Sequence, residues 1–321
     1  MVGHSHDGKT QDVPRFINGS GDAIAGTVTR SPAKTVFLTL IYGGTLAALF
    51  CFTWPAFALF LATTAGVLCF GHSLGMHRRL IHHSFDCPLW LERGMVYHGT
   101  LVGLGGPFTM VYTHDMRDWA QRQPHCHDYF AHRSHFWKDA YWQLFCDIRL
   151  ANPPAIEYED SLVQDRFYKF IERWWMWQNL PWAVLFFMIG GWPFVFWGVC
   201  ARVAACVTGH WLIGHFAHRE GHQSWRVTTA GVQGYNVKFA GLITFGESWH
   251  NNHHAFPGSA RIGLYAGEID PGWWVLRAFE RLGLAKNLKQ PADLAPRPEL
   301  ERVMAIAPLP SGHAATSTAL R

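Results

Sequence analysis

Two pairs of long apolar segments constrain the fold of this chain more than any other feature of its sequence. The first pair, Val36–Phe52 and Pro55–Phe70, carries no charge and is separated at "FTWP". The second pair, Leu180–Ile189 and Phe194–Ile213, is separated at "GGWP" and interrupted only by Arg202. Three of the four segments approach the roughly 20 residues that a helix needs to cross a bilayer. The pattern predicts an all-α integral membrane fold, with four transmembrane helices in two hairpins at about residues 36–52, 55–70, 180–189 and 194–213.

Buried helices of a large soluble protein could produce similar apolar segments, and the placement of charge distinguishes the two cases. Four Lys or Arg residues precede the first hairpin, 11 lie between residues 71 and 180, and 11 follow residue 213, whereas neither tight turn is charged. Because positive residues collect on the cytoplasmic side, both termini and the middle segment are expected there. We expect a multi-pass protein of a bacterial inner membrane, with the endoplasmic reticulum as the alternative.

The composition supports a membrane enzyme with metal or proton chemistry. Apolar residues make up 49% of the chain and charged residues only 16%, which is too apolar for an ordinary soluble enzyme. The 20 histidines point to metal binding or proton transfer, because imidazole is the usual transition-metal ligand. The seven cysteines form no CxxC pair, which argues against a disulfide framework and against an iron–sulfur cluster.

Polarity divides the chain into three parts. Residues 1–35 are predicted to be a flexible cytoplasmic N-terminal tail with no cleavable signal, and residues 291–321 a flexible C-terminal tail rich in Pro and Ala. Residues 36–290 are predicted to form one membrane domain. Its helices are expected to carry a cytoplasmic helical cap, formed by residues 71–179 and 214–290, that holds a His-rich di-metal site.

The histidines gather where the predicted helices end. The stretch "GHSLGMHRRLIHH" begins where the second helix leaves the membrane, and "HWLIGHFAHREGH" begins where the fourth leaves it. A metal or proton transporter would carry its polar residues near the midplane of its helices. The sequence therefore predicts a site that caps the membrane rather than a path through it.

Histidine spacing indicates how the side chains could converge. In "GESWHNNHHAFP", His250, His253 and His254 share one helical face, so at least two imidazoles can bind one ion or a closely spaced pair. His77 and His82 are five residues apart, which is about 140° around a regular helix. We therefore expect those two histidines to serve a site approached from two sides.

Four stretches together resemble a known family: "GMHRRLIHHSF", "MRDWAQRQPHCHD", "GHWLIGHFAH" and "GESWHNNHHAFPGSAR". Over roughly residues 36 to 285 the chain resembles the membrane fatty-acid desaturases, most closely the acyl-CoA Δ9 branch of stearoyl-CoA desaturase-like enzymes. The resemblance implies two iron ions (Fe2+/Fe3+), held mainly by histidines over a four-helix transmembrane stalk. It also implies O2 as co-substrate and removal of two hydrogens from adjacent methylenes of a long-chain acyl group.

The chemistry of that reaction agrees with the residues available. An unactivated methylene has no acidic proton and no leaving group, so a metal–oxygen oxidant is required rather than side-chain acid–base catalysis. Neutral imidazoles suit iron. Soluble di-iron bundles use inward-facing glutamates with paired Glu-x-x-His motifs, whereas this chain has one such motif in the right setting, Glu247 to His250. The soluble class of di-iron proteins is therefore disfavoured.

The resemblance assigns ligands position by position. The first and third boxes contribute His77, His82, His250, His253 and His254. His218 matches an additional histidine that follows the last membrane helix in the family, and His210 and His215 are alternatives for that role.

The middle box departs from the family's HxxHH pattern. Counted from "RDWA", its three histidine positions fall on Gln123, Cys126 and His127, so only His127 is retained. His125 and His132 lie nearby and are further candidates for the missing ligands.

The resemblance also implies a substrate tunnel whose end lies on the second helix, three to four turns before the first box. Counting back 12 and 16 residues from His77 reaches Ala65 and Leu61. A small Ala65 would leave the tunnel open and Leu61 would form its floor, which suits a chain of about C16 to C18. Packing against a neighbouring helix is the alternative for both residues.

Electrons must come from outside the chain, because it has no dinucleotide fingerprint and no fused haem domain. The expected partners are a carrier such as ferredoxin or cytochrome b5, an acyl-CoA or acyl-lipid substrate and membrane lipid, and no nucleic acid is expected. Two other functions stay open. One is a membrane di-iron hydroxylase or alkane-type monooxygenase, and the other is a non-catalytic metal-binding or transport protein.

Overall fold

The computed structural model describes residues 15–16 and 21–303, and this part of the chain is mostly helical. Its α-helices are α1 (Pro32–Ala48), α2 (Trp54–Gly66), α3 (Leu89–Thr100), α4 (Pro107–Arg122), α5 (Asp128–Ala131), α6 (Phe136–Phe145), α7 (Asp160–Val163), α8 (Arg166–Arg173), α9 (Asn179–Val195), α10 (Arg202–Ala217), α11 (His250–Ala255) and α12 (Pro271–Arg281). The other helical segments are the π-helical Val67–Ile81 and Phe196–Ala201 and the 3-10 turns Trp175–Trp177 and Pro291–Asp293.

Short strands tie the ends of the described chain to the cap. The strands are β1 (Gly26–Arg30), β2 (Cys146–Leu150), β3 (Trp225–Val227) and β4 (Leu300–Arg302). β1 pairs antiparallel with β2, and β3 with β4. The segments that the sequence predicts to be flexible tails therefore contain a strand each, because β1 and β4 find hydrogen-bonding partners in the cap. Residues 1–14, 17–20 and 304–321 of those tails lie outside the described residues.

Within the described residues, two continuous helical runs are long and apolar enough to cross a membrane: Trp54–Ile81, with 28 residues, and Trp175–Ala217, with 43 residues. The second run turns back on itself at Gly191, whose φ of 65° and ψ of −157° lie outside helical geometry. A glycine tolerates positive φ because it has no Cβ. The turn lies at the predicted "GGWP", so the part of α9 before Gly191 and the helical segment after it form two arms.

The helix starts follow local signals that the apolar segments alone do not reveal. α1 begins at Pro32, four residues before the predicted start, because proline fits the first turn of a helix. α2 begins after Thr53, whose side chain accepts a hydrogen bond from the backbone N–H of Ala56 at 3.3 Å. The run that contains α2 then continues through Val67–Ile81, 11 residues beyond the predicted end at residue 70.

The outer faces of these helices expose large apolar side chains. Leu40 on α1 is 70% exposed, and Met188 and Ile189 on α9 are 77% and 65% exposed. Beside the turn after α1, Phe50 is 91% exposed. A surface of this kind is unfavourable in water and is typical of a face that contacts lipid.

The cap packs against the π-helical segment Val67–Ile81. A Cβ at Gly71 would lie 2.4 Å from the backbone of His98, so the glycine allows α3 to approach this segment closely. Arg78 is almost completely buried and donates hydrogen bonds to Asp270 Oδ1 and to the carbonyl of Ala260, each at 2.8 Å. The carboxylate compensates the buried charge, which joins the membrane helix to the segment before α12.

Candidate metal centre

The π-helical segment determines how the first-box histidines meet. The backbone N–H of His82 donates to the carbonyl of His77 at 3.1 Å, which is the i→i+5 bond of a π-helix. The wider turn brings residues five apart to nearly the same side, and the two ring centroids lie 4.8 Å apart. The expectation that these histidines face a site from two sides was therefore wrong, because it assumed 3.6 residues per turn.

Two further histidines complete a first cluster. His114 on α4 approaches His82, with their Nε2 atoms 3.3 Å apart. The ring of His253 on α11 lies 4.5 Å from that of His77 and 4.8 Å from that of His82. One nitrogen from each of His77, His82, His114 and His253 lies within 4.8 Å of the others. We call these four residues the first cluster.

A second cluster forms from the remaining histidines of α11 and the residue that follows α10. Nε2 of His250 lies 3.0 Å from Nε2 of His218 and 3.0 Å from Nε2 of His254. His250 and His254 are four residues apart and therefore share one face of the helix. We call His218, His250 and His254 the second cluster.

Burial keeps most of these imidazoles neutral. Desolvation lowers the pKa of His250 to about 3, with the nearby His77 adding to the effect. Desolvation also lowers the pKa values of His82, His218, His253 and His254 well below the ordinary value. A neutral imidazole carries a free lone pair, so the two clusters present converging donors suited to a transition metal.

His114 differs from the other cluster residues. Burial would lower its pKa, but the carboxylates of Asp118 and Asp115 outweigh that effect and raise the pKa above the ordinary value. Asp115 Oδ1 lies 3.5 Å from His114 Nδ1. The first cluster is therefore bordered by negative charge on its α4 side.

Glu247 places a second carboxylate at the first cluster. Its Oε2 lies 2.6 Å from His77 Nδ1, and its Oε1 accepts a hydrogen bond from Ser73 Oγ at 2.6 Å. Burial would raise the pKa of this carboxyl, but His77, Arg78 and Ser73 hold it far below its usual range. A carboxylate on Nδ1 fixes the ring and leaves Nε2 as the metal-binding nitrogen, as is usual for histidine ligands.

The two asparagines between the third-box histidines hold α11 in place. Oδ1 of Asn251 accepts from the backbone N–H groups of Ser224 and Trp225 at 2.8 and 2.9 Å. The side chain of Asn252 donates to the carbonyl of Ile262 at 2.9 Å. Both amides are buried, so they fix a six-residue helix that could not be stable alone.

The structure places none of the three middle-box candidates in either cluster. Nδ1 of His127 accepts a hydrogen bond from the backbone N–H of Tyr129 at 3.1 Å, and the ring packs 5.7 Å from that of Trp142. His125 is exposed in the segment after α4. His132 lies with Asp139 and His215 in a separate buried group.

His114 is the cluster residue that the sequence analysis missed. The signal was present, because His114, Arg117 and Asp118 have the same i, i+3, i+4 spacing as the third box. Arg and Asp in place of two histidines hid the pattern, and the count from "RDWA" led to the segment after α4. The α-helix ends at Arg122, before Pro124, so only the earlier residues can share its face.

The proposed tunnel residues lie on the outer face of the bundle. Leu61 is 51% exposed, and Ala65 is also exposed. The structure therefore does not place these side chains in the interior, contrary to the expectation. The count back from His77 crossed the π-helical segment, where the rotation per residue is smaller than in a regular helix.

The donor set fits two transition-metal ions. Seven imidazoles supply nitrogen ligands. The two clusters are adjacent, because α11 contributes to both and the rings of its His250 and His253 lie 5.8 Å apart. Imidazole suits iron, zinc and copper, whereas calcium and magnesium require oxygen ligands. The arrangement can hold a pair of ions close together at the end of the helical bundle.

Comparison with curated proteins places the chain among desaturases. It is 35% identical to an acyl-CoA 5-desaturase of Anemone leveillei over 272 residues, covering 82% of each protein. It is 34% identical to an sn-1 stearoyl-lipid 9-desaturase of Synechocystis sp. over 273 residues, covering 83% of each. It is 36% identical to Delta-9 acyl-lipid desaturase 2 of Arabidopsis thaliana over 256 residues, covering 77% of this chain and 79% of the relative. No protein-family model matches the chain.

Proposed function

The chain belongs to the fatty acyl desaturase family, and on that premise we propose that it introduces a Δ9 double bond into a long-chain acyl group. Membership makes it a membrane oxidoreductase that desaturates acyl chains. Two of the three relatives named above act at position 9, which supports the proposed position. We propose acyl-CoA as the carrier of the substrate, with an acyl-lipid as the alternative that the relatives' names also support.

The observation that carries the proposal is the division of α11 between the two clusters. This helix contributes His253 to the first cluster and His250 and His254 to the second. We propose that the first cluster holds one iron ion and the second cluster holds the other. When bound, the pair supplies the O2 activation that hydrogen removal from an unactivated methylene requires.

The protein's own residues hold and shield this centre. Glu247 orients His77 through Nδ1, and Arg78 holds Glu247 and Asp270 in place from within the membrane helix. Met76 and Trp249, which precede His77 and His250 in the sequence, are buried, and buried apolar side chains next to the ligands would limit the access of water. The acyl chain would reach the centre from the bundle, because the clusters lie where the apolar helices end.

We further propose four transmembrane helices, with both termini and the metal centre on the cytoplasmic side. The placement of Lys and Arg supports this orientation. An external one-electron carrier, of the ferredoxin or cytochrome b5 type, would deliver the electrons. The overall reaction consumes one O2, two electrons and two protons, removes two hydrogens from the acyl chain and releases two waters.

The proposal is tested with purified protein in lipid nanodiscs. We expect two irons per chain, and we expect oleoyl product when a reduced carrier, O2 and either stearoyl-CoA or stearoyl phospholipid are supplied. Mass spectrometry of disulfide adducts of the product locates the double bond, and the His253→Ala variant is the inactive control. A hydroxylated product would instead support a monooxygenase, and bound zinc without turnover would support a metal-binding protein.

A further inference from the structure

A buried carboxylate that the proposed centre does not use lies beside the second cluster. Asp139 on α6 is 0% exposed, and its Oδ2 accepts three hydrogen bonds. The donors are His132 Nδ1 at 3.0 Å, His215 Nδ1 at 2.8 Å and Trp211 Nε1 at 2.8 Å. Burial favours the neutral acid, yet these hydrogen bonds lower the pKa of Asp139 to about 2, so the group is ionised.

Asp139 contacts the helix that ends at the second cluster. His215 and Trp211 both lie on α10, and His218 immediately follows this helix. The carboxylate therefore connects α6 to the last turns of α10. Because His218 directly follows those turns, we expect their position to affect the position of His218.

Asp139 also determines which nitrogen of His132 is free. Because Nδ1 of His132 donates to the carboxylate, Nε2 carries the lone pair. This Nε2 is buried and has no hydrogen-bond partner among the described residues. It lies beside α10 at Gly214, where a Cβ would be 3.2 Å away.

The ring of His132 lies directly against the second cluster. It is parallel to the ring of His218, with an interplanar angle of 8° and a centroid distance of 5.7 Å. The backbone of His132 is held as well, because Arg219 donates to its carbonyl at 2.9 Å. An acceptor nitrogen fixed in this position is suited to a hydrogen bond with a water molecule at the second cluster.

Resting on the proposed di-metal function, we propose that Asp139 is a positioning residue for the second ion. It acts through His132 and His215, and so less directly than Glu247, which contacts His77 itself. The second cluster has three histidines and the first cluster has four, so an ion in the second cluster would have one more coordination position for water. The fixed Nε2 of His132 would accept a hydrogen bond from that water. Loss of a partner that is hydrogen-bonded to a ligand typically lowers metal affinity by about 10–100-fold, so the less direct support from Asp139 should contribute about tenfold.

The alternative is that Asp139 only ties α6 to α10. The Asp139→Asn variant separates the two roles, because the amide oxygen can still accept hydrogen bonds while the negative charge is lost. A second variant, His132→Phe, retains an aromatic ring beside His218 and removes both nitrogens.

The experiment titrates metal-free protein in nanodiscs with Fe2+ and with Co2+, in competition with a chelator. The visible absorption of Co2+ reports the ligand environment of each site independently of turnover. We expect wild type to bind two ions, and Asp139→Asn and His132→Phe to bind the first normally and the second about tenfold more weakly. The double variant should lose little more than either single variant, because both act on one interaction.

Glu172→Gln is the matched control. Glu172 also accepts three hydrogen bonds, from the backbone of Phe108 and from the backbone and hydroxyl of Thr109, all in the first turn of α4. This variant should bind both ions like wild type. Thermal unfolding of the metal-free proteins shows whether each variant is folded.

Each outcome has a distinct meaning. If wild type binds two ions and folded Asp139→Asn and His132→Phe bind both equally well, Asp139 has only a structural role and the inference is wrong. If wild type itself fails to bind two ions, the proposed di-metal function is wrong. An Asp139→Asn variant that loses the first ion instead would also contradict the assignment to the second cluster.

Discussion

The two histidine clusters have similar ligands, but carboxylates lie closer to the first cluster than to the second. Around the first cluster lie carboxylates: Glu247 is 2.6 Å from His77, and Asp115 and Asp118 raise the pKa of His114. Around the second cluster lie guanidinium groups. After desolvation and neighbouring imidazoles, the positive charge of Arg117 lowers the pKa of His250, and those of Arg122 and Arg297 lower the pKa of His254.

Helix α4 contributes charged residues that act on the clusters. Arg117 and Asp118 are adjacent on α4. Asp118 raises the pKa of His114 in the first cluster, whereas Arg117 lowers the pKa values of both His114 and His250. Nearby carboxylates favour a bound cation, whereas nearby guanidinium groups oppose it. Because carboxylates lie closer to the first cluster, we expect it to bind its ion more tightly than the second cluster does.

The largest effect is expected from removing a ligand. His253→Ala should reduce desaturation to below about 1% of wild type, because even loss of a supporting partner costs about 10–100-fold. Membrane insertion should be unchanged, since it depends on hydropathy. Product analysis and membrane fractionation measure the two properties. Turnover near wild type would show that His253 is not a metal ligand.

The next effect concerns the carboxylate of the first cluster. Glu247→Gln should weaken binding of the tighter ion by about 10–100-fold, which would bring the two affinities close together. Chelator competition monitored by iron content measures this, with Glu172→Gln as the control. If the two ions leave at well-separated chelator concentrations as in wild type, Glu247 does not cause the difference between clusters.

A smaller effect is expected at the second cluster. Arg117→Gln removes a nearby positive charge and should tighten binding of the weaker ion by about fivefold, as expected for one charge at a distance of several ångströms. Arg133→Gln is the control, because Arg133 is exposed and donates to the carbonyl of Gly231. Weaker binding in Arg117→Gln would contradict an electrostatic role and indicate that the guanidinium supports the fold.

The smallest effect concerns the ion pair between Arg15 and Glu159, which lies beside the first cluster. Arg15 donates to Glu159 at 2.9 Å and to the carbonyls of Leu80 and Ile81, just before His82. Burial opposes ionisation of Glu159, but His83 and Arg15 lower its pKa to about 2 from an ordinary value of 4.5. The ion pair therefore stabilises the fold above pH 4.5, and this contribution is lost as the pH falls towards 2.

We expect Glu159→Gln to lower the free energy of unfolding by about 1 kcal/mol at neutral pH, allowing for solvent screening. The difference from wild type should shrink between pH 4.5 and 2. Denaturant unfolding across that range measures it. A constant difference at every pH would show that the charge of Glu159 is not responsible.

The parts of this protein that could be predicted from sequence depend on local pattern. The apolar segments predicted the helical runs, and the turn at Gly191 lies at the predicted "GGWP". The spacing of His250, His253 and His254 predicted a shared helix because residues three and four apart are neighbours. Hydropathy and helical periodicity are properties of consecutive residues, so the sequence by itself determines them.

The tertiary structure decided what those patterns could not. The π-helical segment Val67–Ile81 brings His77 and His82 to one side and moves Ala65 to the outer face, and no spacing rule for regular helices predicts this. His114 joins the first cluster because α4 packs against that segment. Asp139 meets His132 and His215 for the same kind of reason, since residues distant in sequence become neighbours only when the helices pack.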